Sequence, residues 1–210
     1  TVLNQTNAPI FLTGGINSAS PGSIFHGEII LSSDITVNNT VLGSVDLYGH
    51  ALTLTGKGVI NSANSERWVG IGGEVTGDGV LNIDADADQE VYLSGDNTYS
   101  GTTNIKNGKF VSNGQSTENA TMAMFGVSDV NVGPLGKVVF TFNEAETGFS
   151  FDNLLTFNRL NPALAQLLAV NKSSNSSAIS IAFSNIQLDS ATRFDVDVTT
   201  AGLTVNLDGI

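Results

Sequence analysis

The sequence predicts an all-β fold, a β-solenoid, and three observations carry that prediction. Short apolar runs recur at close, even spacing, Gly, Asn and Asp punctuate them, and charge is scarce. Charged side chains make up 13% of the 210 residues, while Gly contributes 23 residues. That charged share is about half the usual one. Helices ordinarily carry Glu, Lys and Arg on their wet face, whereas Gly with abundant Ser, Thr and Asn favours turns and short strands.

The β-type runs are Glu28–Leu31, Ile35–Val37, Ser44–Leu47, Ala51–Thr55, Gly79–Ile83, Glu90–Leu93, Thr102–Ile105, Lys109–Val111, Val127–Val132 and Lys137–Phe142. Apolar and polar residues alternate clearly in Ala51–Thr55 and over Val80–Asp84, as in strands with one buried face. Turn signals separate them at Tyr48-Gly49-His50, Gly56-Lys57-Gly58, Gly77-Asp78-Gly79, Gly95-Asp96-Asn97 and Lys106-Asn107-Gly108. Comparable strands return about every 20 residues or a little more, the length of one solenoid coil. A β-sandwich is the alternative that uses similar strands.

Beyond the repeat-like region, Asn161-Pro162-Ala163-Leu164 and the following Leu/Ala run to Ala169 offer an N-cap, a Pro at the first helical position and helix formers. One helical turn is expected there. Alternating strands follow at Ile179–Phe183, Phe194–Val198 and Leu203–Leu207, read either as antiparallel strands or as final coils that cap the solenoid. The expected organisation is therefore an N-terminal strand or cap over residues 1–20, a solenoid over 21–145, and a helical turn with a strand-rich cap over 146–210. Val2, Leu3, Ile10 and Phe11 make the N-terminal segment apolar. It reads first as a first strand or cap, and second as a strand donated to a neighbouring subunit.

One stretch resembles a known family. Leu93, Gly95, Asn97, Thr98, Tyr99, Gly101, Thr102, Thr103, Ile105, Gly108, Phe110 and Val111 match the autotransporter-associated β-strand repeat, strongly over about 20 residues. The segment from Gly126 to Phe140 is similar to the rung that often succeeds it. The resemblance implies an extracellular right-handed parallel β-helix of the passenger type, and it implies no activity. Family members are usually very long and end in a membrane barrel, whose strands with aromatic girdles are not evident here. The chain thus reads as a fragment or as a small free-standing relative. Its start at Thr1 reads as a mature product whose targeting segment has been removed.

Composition excludes several function classes. A net charge of −12, from 8 Lys and Arg against 20 Asp and Glu, repels phosphate backbones and anionic membranes. No apolar run approaches a membrane span. Without cysteine, burial and backbone ladders must hold the fold. Catalytic arrangements are thin. His26 and His50 lack zinc spacing, Gly-x-Ser-x-Gly is missing, and Arg67, Arg159 and Arg193 are scattered.

The acidic run Asp84, Asp86, Asp88 and Glu90 is the one candidate for a metal, since Ca²⁺ takes six to eight oxygens. Gln89 stands where an EF-hand needs Gly, so the loop is not of that type. The more heavily weighted reading is a solvated acidic turn, with Ca²⁺ the only cofactor these residues offer. The expected function is an extracellular or cell-surface structural protein, not an enzyme, whose partners are copies of itself, assembled by β-strand addition. Two alternatives stand: an adhesin or carbohydrate-binding passenger module that meets surface glycans, and a polysaccharide-degrading β-helix enzyme.

Overall fold

In the computed structural model, the residues described are 2–3, 8–18, 23–55, 69–86, 89–93, 95–113, 125–142, 149–157, 166–171, 179–188, 193–198 and 203–207. They are all-β, and every described strand pairing is parallel. The strands share one sheet that curls around a core, an arrangement compatible with a β-solenoid.

The chain visits three ladders in rotation. The first ladder holds β1 (Val2–Leu3), the front of β4 (Ser23–Leu31), the front of β6 (Thr40–Asp46), β8 (Val69–Ile71) and β11 (Glu90–Leu93). It continues through the back of β12 (Thr103–Asn113), the back of β13 (Val130–Phe142), β15 (Gln166–Asn171) and β17 (Arg193–Val198). The second holds β2 (Ile10–Leu12), the backs of β4 and β6, and β9 (Val75–Thr76). After residues 97–100 and 125–128, it resumes in the front of β14 (Phe149–Phe157), the front of β16 (Ile179–Leu188) and β18 (Leu203–Leu207). The third runs through β3 (Ile16–Asn17), β5 (Ile35–Asn38), β7 (Ala51–Thr55), β10 (Val80–Asp84), the fronts of β12 and β13, and the backs of β14 and β16.

Side-chain alternation explains why these strands stack. In the third ladder, Ile35, Leu52, Leu81, Thr103, Val130, Leu155 and Ile186 fall in one register column, all buried. Two residues along, Val37, Leu54, Ile83, Ile105, Val132 and Phe157 form a second buried column. The residues between them carry amides and hydroxyls outward. Asn131 Nδ2 donates to Asn104 Oδ1 at 3.2 Å and Asn104 Nδ2 to Asn82 Oδ1 at 3.1 Å. Asn82 Nδ2 completes the run on Thr53 Oγ1 at 3.4 Å. Apolar columns bury area while the amide run satisfies polar groups along the stack.

Two expectations need correction. The helical turn expected over Asn161–Ala169 is not what the described part of that segment forms, since Gln166–Asn171 is the strand β15 (161–165 lie outside the described residues). β13 on one side and β17 on the other offer its backbone ladder partners, and that outweighs the helix propensity of Leu and Ala. The antiparallel reading of the last strands also fails, because β16, β17 and β18 all pair in parallel. The ladders accordingly cross residue 145 without a break in direction, unlike the antiparallel strands of a β-sandwich.

Candidate functional site

The repeat-like stretch is where the sequence is most specific, and most of the matched residues there have a packing or bonding task. Leu93, Ile105 and Phe110 are buried in the core, Phe110 with its ring centroid 4.8 Å from that of Phe125. Asn97 is buried and its Oδ1 accepts the Val75 backbone N–H at 2.8 Å, so a side chain stands in for a ladder carbonyl. Thr98 Oγ1 donates to Glu74 Oε1 at 3.0 Å. A Cβ on Gly95 would overlap the Gly73 carbonyl oxygen of the rung before, and one on Gly101 the Gly79 carbonyl oxygen.

Tyr99, Thr103 and Ser128 form a buried hydroxyl trio. Tyr99 Oη lies 2.6 Å from Thr103 Oγ1, which lies 2.9 Å from Ser128 Oγ, and all three side chains are fully buried. Thr103 occupies one position in an otherwise aliphatic column, and the trio satisfies its hydroxyl there. Burial pushes the Tyr99 phenol up to about 12, against smaller opposing contributions from its hydrogen bonds to Thr103 and Ser128. An ordinary tyrosine titrates near 10.

The sign of the linkage follows. The unfolded chain releases this proton near pH 10, while the fold holds it to about 12. Stability contributed by the protonated phenol is present below pH 10 and lost as pH rises through 12. The expected loss is on the order of 2–3 kcal/mol, at about 1.4 kcal/mol per unit. Urea unfolding between pH 9 and 12 measures it; a Tyr99→Phe chain with the same alkaline slope as the parent would rule Tyr99 out as its source.

The acidic run is spread around a corner. Asp84 ends β10 and Glu90 begins β11, with the Gln89 N–H donating to the Asp86 carbonyl at 2.8 Å between them. Asp86 is exposed, and Asp88 lies outside the described residues. The Glu90 carboxylate pairs with the Lys109 ammonium, because the register sets Glu90 beside Lys109 on the next rung. Among the described residues no three His, Asp or Glu side chains are grouped to hold a metal ion.

The histidines sit at corners. His26 is exposed in β4, and His50 Nδ1 lies 3.7 Å from Asp34 Oδ1. Among the tyrosines only Tyr48 presents a largely open ring, 69% exposed, while Tyr92 is half-buried, its phenol raised by that burial. Arg67 and Trp68 lie outside the described residues.

Of the N-terminal apolar residues, Val2–Leu3 pairs with Ile24–Phe25 and Ile10–Leu12 with Ile29–Leu31 of the same chain. Both segments thus pair with strands of this same chain. Phe11 is 65% exposed on β2, which pairs with β4 among the described strands. The sequence marked Phe11 as apolar but not as outward-facing, which only its pairing with Ile30 reveals. No protein-family model, curated protein or solved structure matches this chain.

Proposed function

We propose that this chain is an extracellular structural protein, a right-handed parallel β-helix of the passenger type that self-assembles through its end strands. One observation carries the reading. Among the described strands, the first rung, β1, β2 and β3, is paired on one side only. No Asp, Glu, Lys or Arg precedes Glu28, and Phe11 is exposed there. Open sheet edges template pairing with another chain, and proteins that stay monomeric blunt them with charge, Pro or a cover.

The wider composition supports the same reading. The described core is aliphatic and aromatic, its polar members are hydrogen-bonded, and the repeat-like residues stabilise the stack rather than line a cleft. A net charge of −12 keeps lateral faces apart while leaving the uncharged end free to associate.

Negative-stain electron microscopy and sedimentation velocity of the purified chain at neutral pH, with and without Ca²⁺, test it. Filaments one solenoid wide are expected, lengthening with protein concentration. A single 21.8 kDa species at all concentrations would overturn the reading.

A further inference from the structure

Between its front half in the third ladder and its back half in the first, β12 turns a corner at Lys106-Asn107-Gly108. The register slips there against both neighbouring rungs, between Ile83 and Asp84 of β10 and between Ile105 and Asn107 of β12 itself. Gly108 has a φ of +94°, and a Cβ on it would stand 2.9 Å from the Ala85 Cβ of the rung before. Backbone angle and packing together reserve the position for glycine. The fold thus places after Asn107 the one residue with no side chain to shield its own nitrogen.

Asn107 is half-buried, and its carbonyl accepts the Ala85 N–H at 3.2 Å, which anchors its main chain. Its side chain folds back on the peptide that follows. The Gly108 N–H donates to Asn107 Oδ1 at 2.9 Å. The amide carbon Cγ, one bond from that oxygen, is thereby held beside the Gly108 nitrogen. Holding two reacting groups together in this way replaces a search by a fixed approach. Asn104 is the contrast on the same strand. Its amide bridges Asn82 and Asn131 in the neighbouring rungs, and the branched Ile105 follows it.

We propose that Asn107 is a site of spontaneous deamidation, built into this corner and independent of how the chain assembles. The Gly108 nitrogen bonds to Cγ and loses its proton; the Cγ–Nδ2 bond breaks, and Nδ2 leaves with that proton as ammonia. Water then opens either carbonyl of the cyclic imide, which yields aspartate or isoaspartate at position 107. Either product disturbs the stack. Asn107 lies in register with Asp84, so a carboxylate there sets like charges side by side. Isoaspartate also adds a main-chain carbon just ahead of Lys109, whose N–H bonds the Gln89 carbonyl at 2.9 Å and whose ammonium pairs with Glu90.

Peptide mapping by mass spectrometry reads the reaction, with isoaspartate scored by resistance to an aspartate-directed protease. The folded chain is incubated at neutral and at mildly alkaline pH, beside the same chain unfolded in guanidinium. Loss of the Asn107 amide from the folded chain is expected, faster at the higher pH because the attacking nitrogen must shed its proton, while Asn104 keeps its amide. An Asn107 amide retained by the folded chain, over the time in which the unfolded chain loses it, would overturn the proposal, since the corner would then protect it. Asn107→Gln moves the amide carbon one bond further from the Gly108 nitrogen and is expected to stay unconverted; equal loss from the glutamine would rule out the ring-closing route. The converted chain is expected to unfold at lower urea than the fresh one, with Asn107→Asp showing the share due to charge alone. An unchanged midpoint after full conversion would overturn the predicted damage to the stack.

Discussion

Phe110→Ala is expected to cost about 3–5 kcal/mol, the range for deleting a buried aromatic ring from a close-packed core. Phe110 is fully buried in β12, in register between Val91 and Val138, and its ring meets Phe125 at 4.8 Å with 34° between the planes. Phe110 belongs to the first ladder and Phe125 to a segment that links the second. The ring pair therefore ties two ladders across the core, and truncation opens a void that both line. For a chain of this size each kcal/mol shifts the thermal midpoint by about 2–4 °C. A fall of roughly 6–20 °C by calorimetry is expected, with Phe110→Leu losing much less. An unchanged midpoint for Phe110→Ala would remove this ring pair from the account of the core.

Gly101→Ala is the second large effect, and it acts by the opposite route. The added methyl would overlap the Gly79 carbonyl oxygen. That atom is backbone, so no side-chain rotation relieves the clash and the two rungs must part. Overpacking of this kind costs about 1–3 kcal/mol, occasionally more. Gly14→Ala is the control, because a Cβ there meets nothing within 4 Å and the change should stay within about 0.5 kcal/mol. Urea midpoints for the two variants separate the cases. Equal midpoints would mean that the Gly79–Gly101 approach does not limit how closely the rungs stack.

Much of the fold was legible because alternation reports which face of a strand is buried. Ala51–Thr55 and Val80–Asp84 read as strands with one apolar face, and Leu52, Leu54, Leu81 and Ile83 are the residues that the core buries. The coil length was less legible. The register step is short from Ile35 to Leu52 and nearly twice as long from Leu155 to Ile186, so the connections blur the period that the strands keep. Residues 166–171 misled because Leu167-Leu168-Ala169-Val170 suits either a helix or a buried strand, and the flanking ladders arbitrate.

The candidate site divides in the same way. Tyr99 and Thr103 stand in the repeat-like stretch, but Ser128 joins them from the next rung, 25 residues after Thr103. Spacing within the stretch carries no sign of that contact. Likewise the acidic run was visible as composition, whereas the pairing of Glu90 with Lys109 depends on β11 lying beside the back of β12.

By itself, then, the sequence determined an all-β chain with short strands, tight Gly and Asn corners, an apolar face on each strand and an uncharged N-terminal segment. The tertiary structure decided which strand lies beside which, in what direction, and which polar groups meet in the interior. The physical reason is that side chains encode a face, with a period of two that any partner strand would satisfy. The ladder bonds come from N–H and C=O groups that nearly every residue shares. Choosing among partners therefore falls to packing between rungs, where contacts such as Gly79 with Gly101 and Phe110 with Phe125 exist only once the chain has stacked.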